Sequence, residues 1–94
     1  MIEPKKELAD SVTVNTTSTK ILSANKSRRW ASITNTHTVI LWISFGGPAV
    51  AGKGYGIPAG TTAELTNSDG NLWRGEVYGI YASTSSVVGF DDLS

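Results

Sequence analysis

The most suggestive chemical motif in the sequence is a glycine-rich segment that resembles a phosphate-binding loop. Residues 47–53, GPAVAGK, match the first seven positions of the P-loop pattern GxxxxGK. A P-loop also needs Ser or Thr next, to reach Mg²⁺, and a helix whose N-terminus faces the phosphates. Position 54 is glycine, and the GYGIPAG segment that it opens cannot begin a helix. The sequence therefore predicts a connection between strands here.

The single histidine and the paired acidic residues near the C-terminus are the other candidates for chemistry. A general base needs a nucleophile and an orienting partner within reach. His37 lies between two threonines without a nearby acid, so we expect an exposed loop histidine. Asp91 and Asp92 are adjacent and point to opposite sides of any strand. A carboxylate or calcium site would require the fold to add Glu64, Asp69 or Glu76. We predict no enzymatic activity, no metal site and no cofactor.

Two tryptophans and one arginine are the main candidates for contacts with other molecules. Trp30 and Trp42 could pack on an outer sheet under a loop or the N-terminal segment, stack on a sugar ring, or form a protein interface. Arg28 is expected to bond a turn carbonyl, or a carboxylate across a subunit contact. Trp73 precedes a predicted strand and is expected to plug one end of the fold. We predict Trp30, Trp42 and Arg28 as interface residues.

Composition excludes several classes of function. The 94 residues carry 8 Lys and Arg against 8 Asp and Glu, so the formal net charge is zero. A neutral chain has no overall field to attract nucleic acid or an anionic membrane, and we predict neither partner. There is no cysteine, which excludes disulfides and thiolate chemistry. The longest apolar run, residues 39–43, is too short to cross a bilayer, and no signal peptide is visible.

The body of the chain has the pattern of an all-β domain. Alternating apolar and polar residues, interrupted by Gly, Pro, Asn and Asp, predict about eight short strands at the spacing of a sandwich or barrel. The strand segments are SVTVNT, TKILSA, RRWASITN, TVILWISF, GYGIPAG, TTAELT, GEVYGIYAS and SVVGFDDL. Both faces of TVILWISF are apolar, so we expect a central strand covered on both sides. No window shows helical periodicity.

Register arguments favour a hairpin between the third and fourth segments. With residues 35–37 as a three-residue loop, Ala31 opposes Leu41 inside, and Trp30 lies opposite Trp42 outside. A two-residue loop would set Ala31 against Trp42 and mix the two faces. We therefore predict that the two tryptophans meet on one outer face.

The first ten residues, MIEPKKELAD, differ from the rest of the chain. They are rich in charge and lack an apolar face wide enough for a docked helix. We predict an extended N-terminal arm over residues 1–10, ordered by a neighbouring subunit, and a β-sandwich domain over residues 11–94. Pro4, Lys5 and Lys6 are the predicted contact residues of this arm.

Once the strands are placed, an ordered set of small motifs resembles a family of viral proteins. The motifs are Ala24-Asn25-x-x-Arg28, Ala31-x-Ile33-x-Asn35, Val39-x-Leu41-x-Ile43, Phe45-Gly46, Gly54-x-Gly56-Ile57, Ala59-Gly60, Glu64-Leu65 and Gly75-Glu-Val77-x-x-Ile80. Their order resembles that of small virion structural proteins of tailed bacteriophages, over residues 20–82.

The resemblance implies a capsid-associated protein in many copies, a homotrimer without enzymatic activity. We expect a head decoration (cement) protein: an antiparallel β-sandwich of jelly-roll type, made in the host cytoplasm and bound on the virion's capsid surface. Its partners would be the major capsid protein and its own copies. A fibre, spike or tail module is the alternative within the same context, and a carbohydrate-binding β-sandwich module is the alternative from another class.

Overall fold

Over the residues that the structure describes, the chain folds into eight antiparallel strands. The computed structural model describes residues 7–66 and 72–93. The strands are β1 (Glu7–Val14), β2 (Thr19–Leu22), β3 (Trp30–Thr34), β4 (Leu41–Phe45), β5 (Tyr55–Ile57), β6 (Thr62–Thr66), β7 (Val77–Tyr81) and β8 (Ser86–Leu93). Seven of them lie within predicted segments, and β1 overlaps the first segment but begins four residues earlier, so the all-β prediction is confirmed. These described ranges contain no helix, and hence none long and apolar enough to span a membrane.

The strands form two four-stranded sheets. Sheet 1 has the order β1-β8-β3-β6, and sheet 2 has the order β2-β7-β4-β5. The pairing is nested: β4 pairs with β5, β3 with β6, β2 with β7 and β1 with β8. Two further pairings, β3 with β8 and β4 with β7, complete the sheets. The chain is therefore a long antiparallel double ribbon whose successive pairs alternate between the two sheets.

The two sheets bury one hydrophobic core between them, as in a β-sandwich. Period-two alternation turns every second side chain inward, which gives the buried–half-buried pattern of β3, β4 and β7. Gly79 faces the core at the middle of β7, where a Cβ would lie 2.5 Å from Ile21 Cδ1. The buried core side chains are Val14, Ile21, Leu22, Ala31, Ile33, Leu41, Ile43, Ile57, Ala63, Leu65, Val77, Tyr81 and Val88.

The predicted hairpin between β3 and β4 is wrong. β3 lies in sheet 1 between β8 and β6, and β4 lies in sheet 2 between β7 and β5. The segment between them crosses from one sheet to the other, so Trp30 opposes Thr66 and Leu93, whereas Trp42 opposes Gly56 and Ile80. β4 is central in its sheet, as predicted, but its outer face is only partly covered: Trp42 and Ser44 are half-buried, and Ile40, just before the strand, is 43% exposed.

Asn35 directs the chain across the gap at the end of β3. Its side chain is fully buried, and its amide donates to the carbonyls of Val39 (2.8 Å) and Ile57 (2.9 Å). Its Oδ1 accepts from the His37 N–H (3.0 Å) and the Tyr81 hydroxyl (2.8 Å). One residue thus ties together the β3–β4 connection, β5 and β7.

Tyr81 completes this end of the core. It is fully buried, and burial raises the pKa of its phenol above the ordinary value. Its ring also meets the His37 ring edge-on, with centroids 5.0 Å apart. The phenol is therefore held neutral as a hydrogen-bond donor to Asn35.

β1 includes the last four residues of the predicted N-terminal arm. Residues 7–10, assigned to the arm from their composition, belong to β1, where Glu7 pairs with Leu93 and Asp10 with Phe90. Residues 1–6, including Pro4, Lys5 and Lys6, lie outside the described residues.

Candidate interaction surfaces

The outer face of sheet 2 carries an apolar surface centred on Trp42. We call it the Trp42 face and define it by Ile40, Trp42, Ser44, Gly56, Tyr78 and Ile80. Trp42 points away from the core because its neighbours Leu41 and Ile43 are buried. Its ring lies over Gly56, where a Cβ would meet Trp42 Cζ3 at 3.0 Å and Ile40 Cγ2 at 3.2 Å. The glycine lets the indole lie flat on the sheet, and Ile80 flanks it on β7.

A small charged network borders the Trp42 face. Lys20 and Glu76 form an exposed ion pair at 3.6 Å, and the Tyr78 hydroxyl donates to the other oxygen of Glu76 at 3.2 Å. The two charges offset each other, so this border is neutral. An apolar centre with a polar border is the usual arrangement of a protein interface.

Trp30 lies on the opposite side of the molecule, on the outer face of sheet 1. Its indole N–H donates to Glu64 Oε2 at 3.1 Å. The residues that share this outer face on β3 and β6 are Ser32, Thr34, Thr62, Glu64 and Thr66. On these two strands the face is therefore polar around a single aromatic ring, whereas β8 sets Leu93 directly opposite Trp30. The predicted Trp30–Trp42 contact is wrong, because each tryptophan belongs to a different sheet.

Arg28, predicted at an interface, is fully buried inside the domain. Nε and Nη2 donate to the two carboxylate oxygens of Asp92 at 2.8 and 3.0 Å. Nη2 also donates to the Ser23 carbonyl (2.7 Å), and Nη1 to the carbonyls of Trp73 (2.6 Å) and Gly75 (3.1 Å). A guanidinium has five N–H groups, and all five are used. Arg28 thus does bond a carboxylate and turn carbonyls, but within its own chain.

Trp73 closes the same end of the sandwich. Its indole N–H donates to the Glu76 carbonyl at 2.9 Å, and its ring lies against Gly75, where a Cβ would be 2.6 Å away. The ring also covers Gly46 and meets Phe45 edge-on at 6.2 Å. Trp73 therefore lies at one end of the fold, as predicted, but with 39% of its surface exposed it covers that end only in part.

His37 and Thr84 are as close as a general base and its nucleophile, but the histidine donates the hydrogen bond between them instead of accepting it. His37 Nε2 lies 2.6 Å from Thr84 Oγ1, and Thr84 has a positive φ of 60°. However, His37 Nδ1 accepts the Thr38 N–H at 2.8 Å, so Nε2 carries the proton and donates to Thr84. The Thr84 hydroxyl in turn donates to the Ser83 carbonyl. In this arrangement His37 cannot take the hydroxyl proton, and the pair joins two loops.

The acidic residues behave as their positions predict. Asp92 is buried against Arg28, whereas its neighbour Asp91 is turned to the outer face of sheet 1, opposite Ser32 and Ala9. In residues 7–66 and 72–93, His, Asp and Glu nowhere gather in a group of three that could hold a metal ion. Asp69 lies outside the described residues. The near P-loop, as predicted, is the connection between β4 and β5.

Comparison with known proteins adds no relative. No family model matches the chain. No curated protein matches it. No solved structure matches it.

Proposed function

We propose that this chain is a non-enzymatic virion structural protein, a capsid decoration (cement) protein that stabilises the head shell through protein–protein contacts. The observation that carries the proposal is the Trp42 face: an indole lying flat on a glycine, with Ile40 43% exposed beside it. Aromatic residues in such apolar patches contribute most of the binding energy of protein interfaces. A partner that covers the Trp42 face would remove from water the apolar surface that the isolated chain leaves exposed.

The fold that we propose is a jelly roll with an N-terminal arm. The nested pairing supports it, because a long double ribbon rolled into two sheets brings β1 beside β8 and β2 beside β7. Jelly rolls recur in viral capsid proteins and in lectins. Fold likeness is a weak guide to function, so the surface decides between these classes.

The sequence resemblance to phage virion proteins supports the first class. Two of its motif positions, Arg28 and Asn35, are among the three buried polar or charged residues in the described part of the chain, and they lie at the two ends of the sandwich. The pattern therefore follows positions on which this fold depends, and the tryptophans are additions particular to this chain. In this proposal the protein is made in the host cytoplasm and binds the major capsid protein and its own copies, as a homotrimer on the capsid surface.

The test is co-sedimentation with shells assembled from the major capsid protein of the same genome. We expect Trp42→Ser and Ile40→Glu each to weaken binding by about 30-fold, which corresponds to a hot-spot loss of about 2 kcal/mol. Trp30→Ser is the matched control, since Trp30 is also half-buried on an outer face but lies on the other sheet. Binding that survives both face variants, or a wild-type chain that binds no shell, would overturn the proposal.

The N-terminal arm and the oligomer have separate tests. Deleting residues 1–6 should weaken shell binding while leaving the strand signal in circular dichroism unchanged, because β1 begins at Glu7. Lys5→Glu with Lys6→Glu tests the contact charges without shortening the chain. Sedimentation equilibrium should give three copies, and a monomer at shell-binding concentrations would contradict the homotrimer.

A carbohydrate-binding module is the second candidate, and Trp30 favours it. A single indole bonded to Glu64, with Thr66 opposite it on β6, resembles the combination of stacking surface and acceptors that a sugar uses. Glycan binding that Trp30→Ser abolishes and Trp42→Ser spares would select this function. Binding of the wild-type chain to isolated tails or fibres, and not to shells, would select a fibre, spike or tail module.

A further inference from the structure

The four edge strands differ in how well they are protected against pairing with another chain. β5 has three residues between Gly54 and Pro58, and β2 has four residues with a register shift between Lys20 and Leu22. β6 has five residues. Short length, bulges, proline and charged side chains are the usual means of blunting an edge, and of these β1 has only the charges of Glu7 and Asp10. β1 has eight residues, no proline and an unbroken register with β8. It is the edge best suited to accept a further strand.

One hydrogen bond shows which backbone groups of β1 face the open edge. The Ser11 N–H donates to the carboxylate of the preceding residue, Asp10 Oδ1, at 2.8 Å. This N–H therefore points away from β8. Backbone direction alternates along a strand, so Ala9, Ser11 and Thr13 all present their N–H and C=O groups outward. The side chains of these three residues are exposed, and so is that of Asp10.

We propose that β1 pairs antiparallel with β1 of a second copy of this chain, around a twofold axis at Ser11. Each hydrogen-bonded pair must join two residues whose backbone N–H and C=O groups face the open edge. In β1 these residues have odd numbers, so an odd-numbered residue of one copy must oppose an odd-numbered residue of the other. With Ser11 on the axis, residue i opposes residue 22 − i, and residues 8–14 of both strands pair within the bounds of β1. The outer faces of sheet 1 then continue across both copies.

The other permitted registers are worse. An axis at Asp10 sets two carboxylates directly opposite each other, which is destabilising. An axis at Val12 pairs only residues 10–14. The Ser11 register separates the two Asp10 side chains, and each opposes the partner's Val12 position. On pairing, the Ser11 N–H gives up its hydrogen bond to Asp10 and forms one to the partner strand. The net free energy gained from each contact is therefore small.

A small gain suits a contact that many copies repeat. In a shell that carries the proposed homotrimer, this twofold contact would join neighbouring trimers. The pairing of β1 with β1 can be tested separately from the proposed function, because its test uses the purified chain without any capsid shell. If the purified chain forms no β1–β1 dimer, the capsid-binding proposal is unaffected, and if the chain binds no shell, the β1–β1 proposal is unaffected.

The absence of natural cysteine makes disulfide trapping a direct test. Hydrogen-bonded antiparallel pairs have Cα atoms about 5.5 Å apart, within the usual disulfide range of about 4.4–6.8 Å. Ser11→Cys should therefore form a covalent dimer under mild oxidation. Thr13→Cys alone should not, since the two copies of that residue lie four positions, or about 13 Å, apart along the strands. We expect at least a tenfold difference in dimerisation rate.

A mixture of two single-cysteine chains tests the register independently. Residue 9 opposes residue 13 of the partner, so Ala9→Cys mixed with Thr13→Cys should give a heterodimer that exceeds either homodimer. Adding Ser11→Pro to both chains removes the outward N–H that the pairing uses but no bond to β8. It should leave the monomer folded by circular dichroism and reduce heterodimer formation at least tenfold. If Ser11→Cys dimerises no faster than Thr13→Cys, or the heterodimer is absent or insensitive to Ser11→Pro, the proposal is wrong.

Discussion

At the scale of single residues, two buried polar side chains hold the ends of the sandwich. Arg28 precedes β3 and Asn35 follows it, and both are fully buried. Each uses all of its polar side-chain atoms in hydrogen bonds within the chain. An unsatisfied polar group in such a position costs about 1–3 kcal/mol, so these networks favour one arrangement of the surrounding loops over others.

Removing the counter-charge of Arg28 should be strongly destabilising. Asp92→Asn keeps the shape of the side chain but leaves a buried guanidinium without its carboxylate, and we expect a loss of about 3–5 kcal/mol in the free energy of unfolding. Asp91→Asn is the matched control on the same strand. The Asp91 carboxylate has one buried oxygen, Oδ1, with no hydrogen-bond partner among the described residues, so its neutralisation should cost almost nothing. Urea unfolding of both variants measures the difference, and equal losses would contradict this account of Arg28.

Tyr81 should make the fold sensitive to alkaline pH. Its folded-state pKa is raised above the unfolded value of about 10, so the neutral phenol's contribution is complete below pH 10. That contribution is lost as the pH rises through the folded-state pKa. Tyr81→Phe should lose about 1 kcal/mol at neutral pH, through the bond to Asn35, and should decline less steeply above pH 10. Urea unfolding between pH 7 and pH 11 tests this, and parallel pH profiles for the two proteins would refute it.

At the scale of strands, the sequence predicted the elements but not all of their partners. Alternation assigns side chains to faces, and it correctly turned Ala31 and Ile33 inward and Trp42 outward. It does not say which sheet a strand joins. The β3–β4 connection was short enough for a hairpin, and only the buried bonds of Asn35 to Val39 and Ile57 show why it crosses between sheets instead.

The Arg28–Asp92 pair was missed for a related reason. The two residues are 64 positions apart, and β3 had been paired with β4 instead of β8. A signal was present in β8: Asp92 has the same parity as the buried Val88, which places a carboxylate on the inner face. A charged residue in such a position requires a buried partner of opposite charge.

Three of the four glycines in the connection between β4 and β5 allow the cost of a positive φ to be compared with the cost of a steric clash. Gly47 has neither a positive φ nor a neighbour within 4 Å, and Gly52 has a φ of +84° in open space. Gly54 combines a φ of +88° with a virtual Cβ only 2.6 Å from the Ile43 carbonyl oxygen. From Gly47 to Gly52 to Gly54, the expected cost of adding a Cβ therefore increases.

Alanine substitutions should follow that order. We expect Gly47→Ala to be neutral or slightly stabilising and Gly52→Ala to cost about 1–2 kcal/mol. Gly54→Ala should cost more than Gly52→Ala, because β5 must also move away from β4. Thermal unfolding of the three variants gives the ranking. If Gly54→Ala proves no worse than Gly52→Ala, the close approach to Ile43 does not constrain this edge.

At the scale of the whole molecule, the two outer faces are chemically different. Sheet 2 presents the Trp42 face, whereas the outer face of sheet 1 carries threonines, serine and Glu64 around Trp30 on β3 and β6, with Val87 and Leu93 on β8. The sequence identified both tryptophans as contact candidates but placed them together. The Trp42 face therefore lies on one side of the molecule, and Trp30 lies with the β1 edge on the other.

The nested pairing also brings the two ends of the described chain together, which allows a test of the architecture by circular permutation. Glu7 opposes Leu93, so a flexible linker between the termini should be accommodated. New termini after Gly52, in an exposed segment, should leave a folded protein, because they open only the local β4–β5 connection. New termini after Asn35 should abolish or severely weaken folding, since that cut separates the buried side chain from Val39. Circular dichroism and urea unfolding compare the two permutants. Equal stability would mean that the crossing between the sheets does not depend on Asn35.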